Sequence, residues 1–426
     1  MTTNIASSDV RRQAGWLPRT QDQLEAWLEG HRDRVRSRGD DLELHPVLVE
    51  LRELLNSTPI LRMHVNEMIA QVPKTRKYSQ RHVESVDELL QLVNEVLGMA
   101  PEFGDQTVTL PLTAILDWTM ATSAGFAAYR DDRLNQMIRR ILTVWSEFLS
   151  SPQSLYVLND SPRGWKCGAA RRAIGIEQYH HDPNDEHWGF RSWNDFFTRR
   201  FKQDARPVDA PDDDSVIVSA CESTPYAIAR HVQLRDAFWI KSQPYSLSDM
   251  LAGSEEAERF VDGTVYQAFL SATNYHRWHS PVSGTIIKAF VAPGTYYSEA
   301  DSEGADAEDP VVSQGYLAHV ATRAIILIEA DNPLIGLVAF VAIGMLEVSS
   351  CLLGSDISVG HHVTKGDELG YFQFGGSTHC LVFGSGVVEN FDLRAVPQPG
   401  NTASRLVLVR SKIATARQSR DKQLGS

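Results

Sequence analysis

Cysteine is scarce in this chain, four in 426 residues. Cys167, Cys221, Cys351 and Cys380 are widely scattered and form no Cys-x-x-Cys pair, so they read as reduced thiols of a cytosolic protein. Long hydrophobic runs are lacking too. The most apolar stretch, residues 333 to 348, is interrupted by glycines and closed off by Asp331 and Glu347. It falls short of the roughly 20 uninterrupted apolar residues that span a bilayer and reads as one or two buried strands. The N-terminus carries Arg11, Arg12 and Arg19 without the apolar segment of a signal peptide, so export is not expected and the expected location is cytoplasmic. Basic residues are in deficit, 41 Lys and Arg against 54 Asp and Glu, and the net charge of -13 argues against nucleic acid or an anionic membrane as partner. What remains, 42% hydrophobic and 22% charged, suits a soluble globular protein of two or three domains with ample core.

The first 150 residues are helical in pattern. Val47, Leu48, Leu51, Leu54 and Leu55 recur at helical spacing, as do Val83, Val86, Leu89, Leu90, Val93, Val96 and Leu97, with Gly98 and Pro101 as stop signals. A third stripe holds Leu134, Met137, Ile138, Ile141, Leu142, Trp145 and Phe148. These stripes are core faces, and residues 1–150 are expected to form an N-terminal helical domain. Residues 151–215 are mixed and turn-rich. From 216 onward short strands are expected at 216–218, 286–291, 324–329, 337–343 and 406–409, with a loop over the acidic run 300–315. The fold class is α+β, with residues 151–426 as a β-rich catalytic domain containing a small barrel or sandwich.

Three clusters carry chemistry. Phe374-Gly375-Gly376-Ser377-Thr378 places a serine after two glycines at the end of a strand expected over 371–376. Gly376 has no Cβ to shield its carbonyl carbon from the Ser377 hydroxyl, so the chain could attack its own backbone there, although alone such a tetrapeptide is a turn. Tyr275-His276-Arg277-Trp278-His279 sets two imidazoles three residues apart, and Cys221-Glu222-Ser223 sets a carboxylate after an apolar run. Nucleophile, base and orienting acid are all available. His180, His181, Asp182, Asp185 and His187 offer metal-ligand types, but beside Pro183 and Asn184 a solvated loop is the favoured reading and no metal is expected. The Val359-to-Gly370 segment is patterned like the hairpins of carrier domains, which raises a carrier or binding module without chemistry; Lys365 lies inside that pattern rather than at a hairpin tip.

Together these residues resemble the phosphatidylserine decarboxylases, pyruvoyl enzymes whose proenzyme cleaves itself at a Gly-Ser bond. The resemblance runs from about 190 to 395 and takes in Trp193-Asn194-Asp195-Phe196-Phe197-Thr198-Arg199-Arg200-Phe201, Ala205-Arg206-Pro207-Val208, the Glu222 cluster, the histidine cluster and Gly-Gly-Ser-Thr, in the family's order. Two departures, Ala220-Cys221-Glu222-Ser223 for Pro-Ala-Asp-Gly and Gly375 for the Leu of Leu-Gly-Ser-Thr, together with Gly15-Trp16-Leu17 in a long N-terminal extension, resemble a soluble branch that includes a fungal tryptophan decarboxylase.

That resemblance implies cleavage between Gly376 and Ser377 into two fragments that stay together, and a pyruvoyl cofactor derived from Ser377 in place of pyridoxal phosphate. It implies a free L-amino acid, an aromatic one such as tryptophan, as the small-molecule substrate. His279 is the expected base, oriented by Glu222, and by resemblance His276 is expected to position or reprotonate the substrate carbon. His379, two residues past Ser377, points to the same face of an extended strand and is a candidate to line the substrate pocket, with Trp278 and Phe374 as an apolar wall. Phosphatidylserine decarboxylation, and a non-cleaving relative that only binds, are the alternatives.

Overall fold

The structure, a computed structural model, describes residues 21–39, 43–72, 83–104, 110–120, 122–236, 245–271, 273–299, 313–347, 350–373, 377–398 and 405–417. Gly15, Trp16, Leu17, Phe374, Gly375, Gly376 and residues 300–312 of the loop expected over 300–315 lie outside them, and the last two residues of that expected loop, Gln314 and Gly315, are helical instead. Two compact units divide the chain. The first comprises residues 1–176, 182–195 and 297–312, the second residues 177–181, 196–296 and 313–426.

The first unit is helical: α1 (Gln21–Arg38), α2 (Pro46–Ser57), α3 (Pro59–Ala70), α4 (Val86–Val96), α5 (Pro111–Met120), α6 (Ser123–Ala128), α7 (Asp132–Leu149) and α8 (Gly168–Ile174). The stripes read from the sequence are the buried faces of α2, α4 and α7. Side chains set the starts. Ser85 Oγ accepts the Glu88 amide at 3.1 Å to open α4, and Asp131 Oδ1 accepts the Arg133 amide at 2.9 Å to open α7. The unit runs past residue 150 because Trp165 donates from Nε1 to the Pro101 carbonyl at 2.8 Å, and its ring lies 4.8 Å from that of Trp193. Trp193 in turn donates its amide to Ser154 Oγ at 2.8 Å. Trp193 opens the short helix α9 (Trp193–Phe197).

The second unit is built on strands: β1 (Val216–Val218), β2 (Thr224–Val232), β3 (Gly263–Leu270), β4 (Arg277–His279), β5 (Gly284–Ala292), β6 (Arg323–Ala330), β7 (Leu337–Gly344), β8 (Cys351–Leu353), β9 (His362–Val363), β10 (Glu368–Phe372), β11 (Ser377–Phe383), β12 (Val388–Phe391) and β13 (Lys412–Ala416). Helices α10 (Leu247–Met250) and α11 (Gln314–Val320) complete it. The seven-stranded sheet runs β2-β3-β11-β7-β6-β5-β9, and two three-stranded sheets run β4-β10-β8 and β1-β13-β12. One core joins all three sheets, with Tyr266, Ala268, Ile326, Ile328, Phe340 and Leu381 from the large sheet meeting Trp278, Phe372, Ile217 and Ile413 from the small ones. The result is a sandwich. Among the described residues no sheet closes into a barrel, because β2 and β9 end the large sheet without pairing to each other.

The apolar run 333–348 supplies β7 over Leu337–Gly344, which is buried along its whole length, while Leu334 at the start of the run is exposed. One strand expectation fails. Residues 406–409 form only an isolated bridge at Val407, since Leu406 and Leu408 turn outward, each 43% exposed, and the paired strand comes later as β13. Of the strand expected over 371–376, Tyr371 and Phe372 close β10 and 374–376 lie outside the described residues.

Candidate active site

Ser377 is the first residue of β11, a central strand, where it pairs with Leu270 of β3 on one side and Gly344 of β7 on the other. The side chain is 1% exposed, and Oγ has no hydrogen-bond partner among the described residues. Buried hydroxyls are nearly always bonded, so an unbonded one carries a desolvation cost of about 1–3 kcal/mol and calls for a reason. Its neighbour Thr378 is satisfied, donating from Oγ1 to the Ala268 carbonyl at 3.0 Å.

The segment 271–276 reaches this end of the sheet. It leaves β3 one residue after the Leu270–Ser377 pair, and His276 returns to it: its Nε2 lies 3.1 Å from the Ser271 carbonyl. On the other side the His276 carbonyl accepts the Phe372 amide at 2.9 Å. The imidazole is fully buried and stacks on Phe197, with ring centroids 4.2 Å apart. The Phe-Phe-Thr-Arg-Arg-Phe run therefore has a local task. Arg199 Nη2 donates to the Thr273 carbonyl at 2.7 Å, Arg277 Nε donates to the Thr198 carbonyl at 2.7 Å, and Phe201 packs 4.3 Å from the Tyr275 ring.

His279 stands apart from His276. Opposite Glu368 in the β4–β10 pairing, it lies at the end of β10 away from Phe372. Its Nδ1 donates to the Gly366 carbonyl at 2.8 Å, and its Nε2 accepts the Tyr275 hydroxyl at 3.0 Å. Burial, then the nearby Arg410, Arg277 and Arg200 guanidiniums, hold its pKa down at about 3, the Gly366 bond opposing them. The ring is a neutral, fully engaged imidazole. Glu222 does not orient it. The Glu222 carboxylate is paired bidentately with Arg206, Oε2 to Nε at 2.8 Å and Oε1 to Nη2 at 2.7 Å, both side chains buried. Glu222 meets the histidine segment only through its carbonyl, which accepts Asn274 Nδ2 at 3.3 Å. A carboxylate beside a buried guanidinium takes the bidentate partner before a neutral ring.

His379 does share the Ser377 face, as strand alternation requires, between Ala268 and Ala342. It is fully buried near Tyr266 and Phe340, and neither ring nitrogen completes a hydrogen bond of ordinary geometry among the described residues. Burial lowers its pKa to about 3, more than the Ala268 carbonyl opposes. Trp278 is core: its ring lies 4.9 Å from Phe372 and 5.6 Å from Phe340, and Gly370 is needed opposite it because a Cβ there would come within 2.8 Å of the indole. The wall expected from Trp278 is thus interior packing, and Phe374 lies outside the described residues.

Among the described residues no group of three His, Cys, Asp or Glu could hold a metal ion. The 180–187 residues shape turns instead, with Asp185 Oδ1 accepting the His187 and Gly189 amides at 2.8 and 2.9 Å, and His181 Nδ1 2.9 Å from the Tyr179 carbonyl. Lys365 is no carrier lysine: its ammonium is buried on the carbonyls of Ala210, Asp213 and Val216 at 2.6 to 3.2 Å. All four cysteines are free thiols. No described helix is long and apolar enough to cross a membrane. Sequence reasoning missed Tyr275, Gly366 and Arg410 as supports. Arg206 was visible only as part of an Arg-Pro motif.

A family model described as phosphatidylserine decarboxylase matches residues 193–403, and a second one of that description matches residues 45–174. Decarboxylase iboD of Amanita muscaria (strain Koide BX008) is 42% identical over 295 residues, 65% of this chain and 84% of the relative. The L-tryptophan decarboxylase of Psilocybe cubensis is 33% identical over 399 residues, 87% of this chain and 88% of the relative. Phosphatidylserine decarboxylase proenzyme 3 of Schizosaccharomyces pombe is 35% identical over 195 residues, which cover 46% of this chain and 19% of the relative.

Proposed function

The chain belongs to the phosphatidylserine decarboxylase family, a family of carboxy-lyases, and from that premise we propose that it makes a pyruvoyl group at Ser377 and uses it to decarboxylate a free L-amino acid. The observation that carries this reading is the buried Ser377 hydroxyl, without a partner among the described residues, at the first position of a strand paired on both sides. Pairing fixes Cα and the side-chain direction, while nothing described holds Oγ back from the preceding carbonyl.

The self-processing steps need only this chain's own atoms and water. The Ser377 hydroxyl adds to the Gly376 carbonyl and the peptide nitrogen leaves as an amine, turning amide into ester. Loss of the Ser377 α-proton expels the Gly376 carboxylate, and the enamine left behind takes up water and releases ammonia. The pyruvoyl group so formed on Thr378 supplies an electron sink for the pair left behind when CO₂ departs.

His276 is the imidazole assigned to these proton transfers. Its Nε2 proton goes to the Ser271 carbonyl, which makes Nδ1 the basic nitrogen, and its segment adjoins the Leu270–Ser377 pair. His279 is held neutral and acts as a support, accepting the Tyr275 hydroxyl, and the Glu222–Arg206 pair braces the same segment from the Asn274 side. His379 remains the candidate to meet substrate from the Ser377 face.

A free aromatic amino acid is favoured over a phospholipid by the extent of similarity. The relative named L-tryptophan decarboxylase aligns over 87% of this chain, and the proenzyme named for phosphatidylserine over 46%. Intact mass after denaturation tests the reading: wild type is expected as two fragments, the smaller beginning at 377 with a blocked, keto-bearing end, and Ser377→Ala as one uncleaved, inactive chain. His276→Gln is expected to cleave at least about a hundredfold more slowly. Turnover of tryptophan, phenylalanine and phosphatidylserine micelles is compared in parallel. A full-length wild type that still decarboxylates sinks the pyruvoyl reading, and turnover of the phospholipid alone replaces the substrate.

A further inference from the structure

Arg410 has no part in the chemistry above, yet it is held at φ +67°, a left-handed conformation that costs a residue with a Cβ of order 1 kcal/mol or more. Its guanidinium donates from Nε to the Gly366 carbonyl at 2.9 Å and from Nη1 to the Arg206 carbonyl at 3.3 Å. The Gly366 carbonyl is the one that also takes the Nδ1 proton of His279. Gly366 stands at φ +91°, and a Cβ there would come within 2.6 Å of Val208 and 3.5 Å of Arg410 Nε, so the turn is shaped around this guanidinium. The contacts close a ring: Arg206 lies over Phe201 at 4.2 Å, Phe201 packs on Tyr275, Tyr275 donates to His279, and His279 shares Gly366 with Arg410.

We propose that Arg410 is a positioning residue of the active site, supplied by the C-terminal fragment: by fixing the Gly366 carbonyl it fixes the His279 ring, and through that ring the Tyr275 side chain, the residue before His276 in the chain. The proposal rests on the self-processing reading, in which Gly366, His279 and Tyr275 belong to the larger fragment and Arg410 to the smaller. Each fragment then supplies one of the two donors to a single carbonyl, which ties the geometry of the histidine segment to correct seating of residues 405–417.

The groups facing His279 allow a readout that mere structural support would not move. They are the Tyr275 hydroxyl, Arg277 on its own strand, Glu368 opposite with Arg200 and Arg277 bonded to its carboxylate, and Arg410. On the Gly366 turn, Asp367 is committed to the Thr364 amide and Lys365 to three carbonyls. Arg410 is thus a positive charge acting on His279 as well as a hydrogen-bond donor to its partner. Removing it lets the imidazole take a proton nearer its ordinary pKa, and protonated Nε2 can no longer accept the Tyr275 hydroxyl.

The test uses full-length Arg410→Met and Arg410→Lys. Maturation is followed by intact mass, and decarboxylation by the matured protein is followed against pH. Both variants are expected to release the 377 fragment about tenfold more slowly. Only Arg410→Met is expected to move the acid limb of the pH profile toward neutrality. A wild-type maturation rate and an unmoved limb in the two folded variants overturn the proposal, even if their melting temperatures fall. Should Arg410→Met not fold, Arg410→Lys decides, and a wild-type rate in it overturns the proposal. A wild-type chain that never cleaves defeats the self-processing reading instead. In that case imidazole NMR of His279 in the uncleaved chain still tests the coupling, which predicts a higher pKa in Arg410→Met and is refuted by an unchanged one.

Discussion

Glu222 illustrates how a residue's neighbours set its role. A carboxylate near an imidazole would orient it, but Arg206 takes both carboxylate oxygens, and its guanidinium also covers the Phe201 ring. Glu222→Gln would leave that buried guanidinium uncompensated, and breaking such a pair costs about 3–5 kcal/mol. We expect urea denaturation in a Ser377→Ala background, where folding is separated from maturation, to show a midpoint lowered accordingly, with a smaller loss when Arg206→Met is added. A loss below about 1 kcal/mol would make the pair incidental. The contrast between His276 and His279 is of the same kind. Three residues apart on one segment, one ends against Phe197 and Ser271 and the other is locked between Gly366 and Tyr275.

Strand β11 is the element on which the two fragments of the proposed cleavage would depend. It carries Ser377 at its start, yet it is paired residue by residue with β3 and β7 down to Phe383, and β13 from the same fragment lies between β1 and β12. Cutting the chain before Ser377 removes none of these ladders. The fragments are therefore expected to elute as one species in size-exclusion chromatography of the matured protein and to separate only in denaturant; elution of a free 50-residue fragment under native conditions would refute this. Pairing on both sides also means that Ser377 is placed only once the sheet has formed. Cleavage should accordingly follow folding, with the precursor persisting while β3 and β7 are unpaired.

Across the whole molecule, buried neutral histidines couple stability to pH. His279 and His379 keep pKa values of about 3 and His319 of about 4, in each case chiefly through burial. The unfolded chain takes these protons near pH 6.5, while the folded protein does not until pH 3 to 4. Between those limits the unfolded state binds more protons, so stability falls as pH falls, by up to about 1.4 kcal/mol per pH unit for each group. Melting temperature is expected to drop steadily from pH 6.5 toward pH 4.5, and His379→Leu to make the slope shallower. A melting temperature flat across that range would contradict the burial of these rings.

Much of this was legible in the chain. Helices α2, α4 and α7 announced themselves through 3.6-residue stripes and stop signals, because a helix buries a face set by local spacing. Ser377 was legible as a candidate because a hydroxyl after glycine is a matter of adjacent atoms. Strand β13 was not, since Lys412-Ile413-Ala414-Thr415-Ala416 is a weak pattern that gains its status from pairing with β1 and β12, whereas the more apolar 406–409 has no continuous partner. The sequence by itself determined which residues can act as nucleophile, acid and base, for that is a property of side-chain chemistry and spacing. Tertiary structure alone decided that Arg206 claims Glu222, that Gly366 and Tyr275 claim His279, and that His276 meets the Ser271 carbonyl, next in the chain to the Leu270 that pairs with Ser377. Those choices turn on hydrogen-bond geometry and desolvation, and the Arg206–Glu222 and Gly366–His279 contacts join residues 16 and 87 apart in the chain, over which local order carries little information.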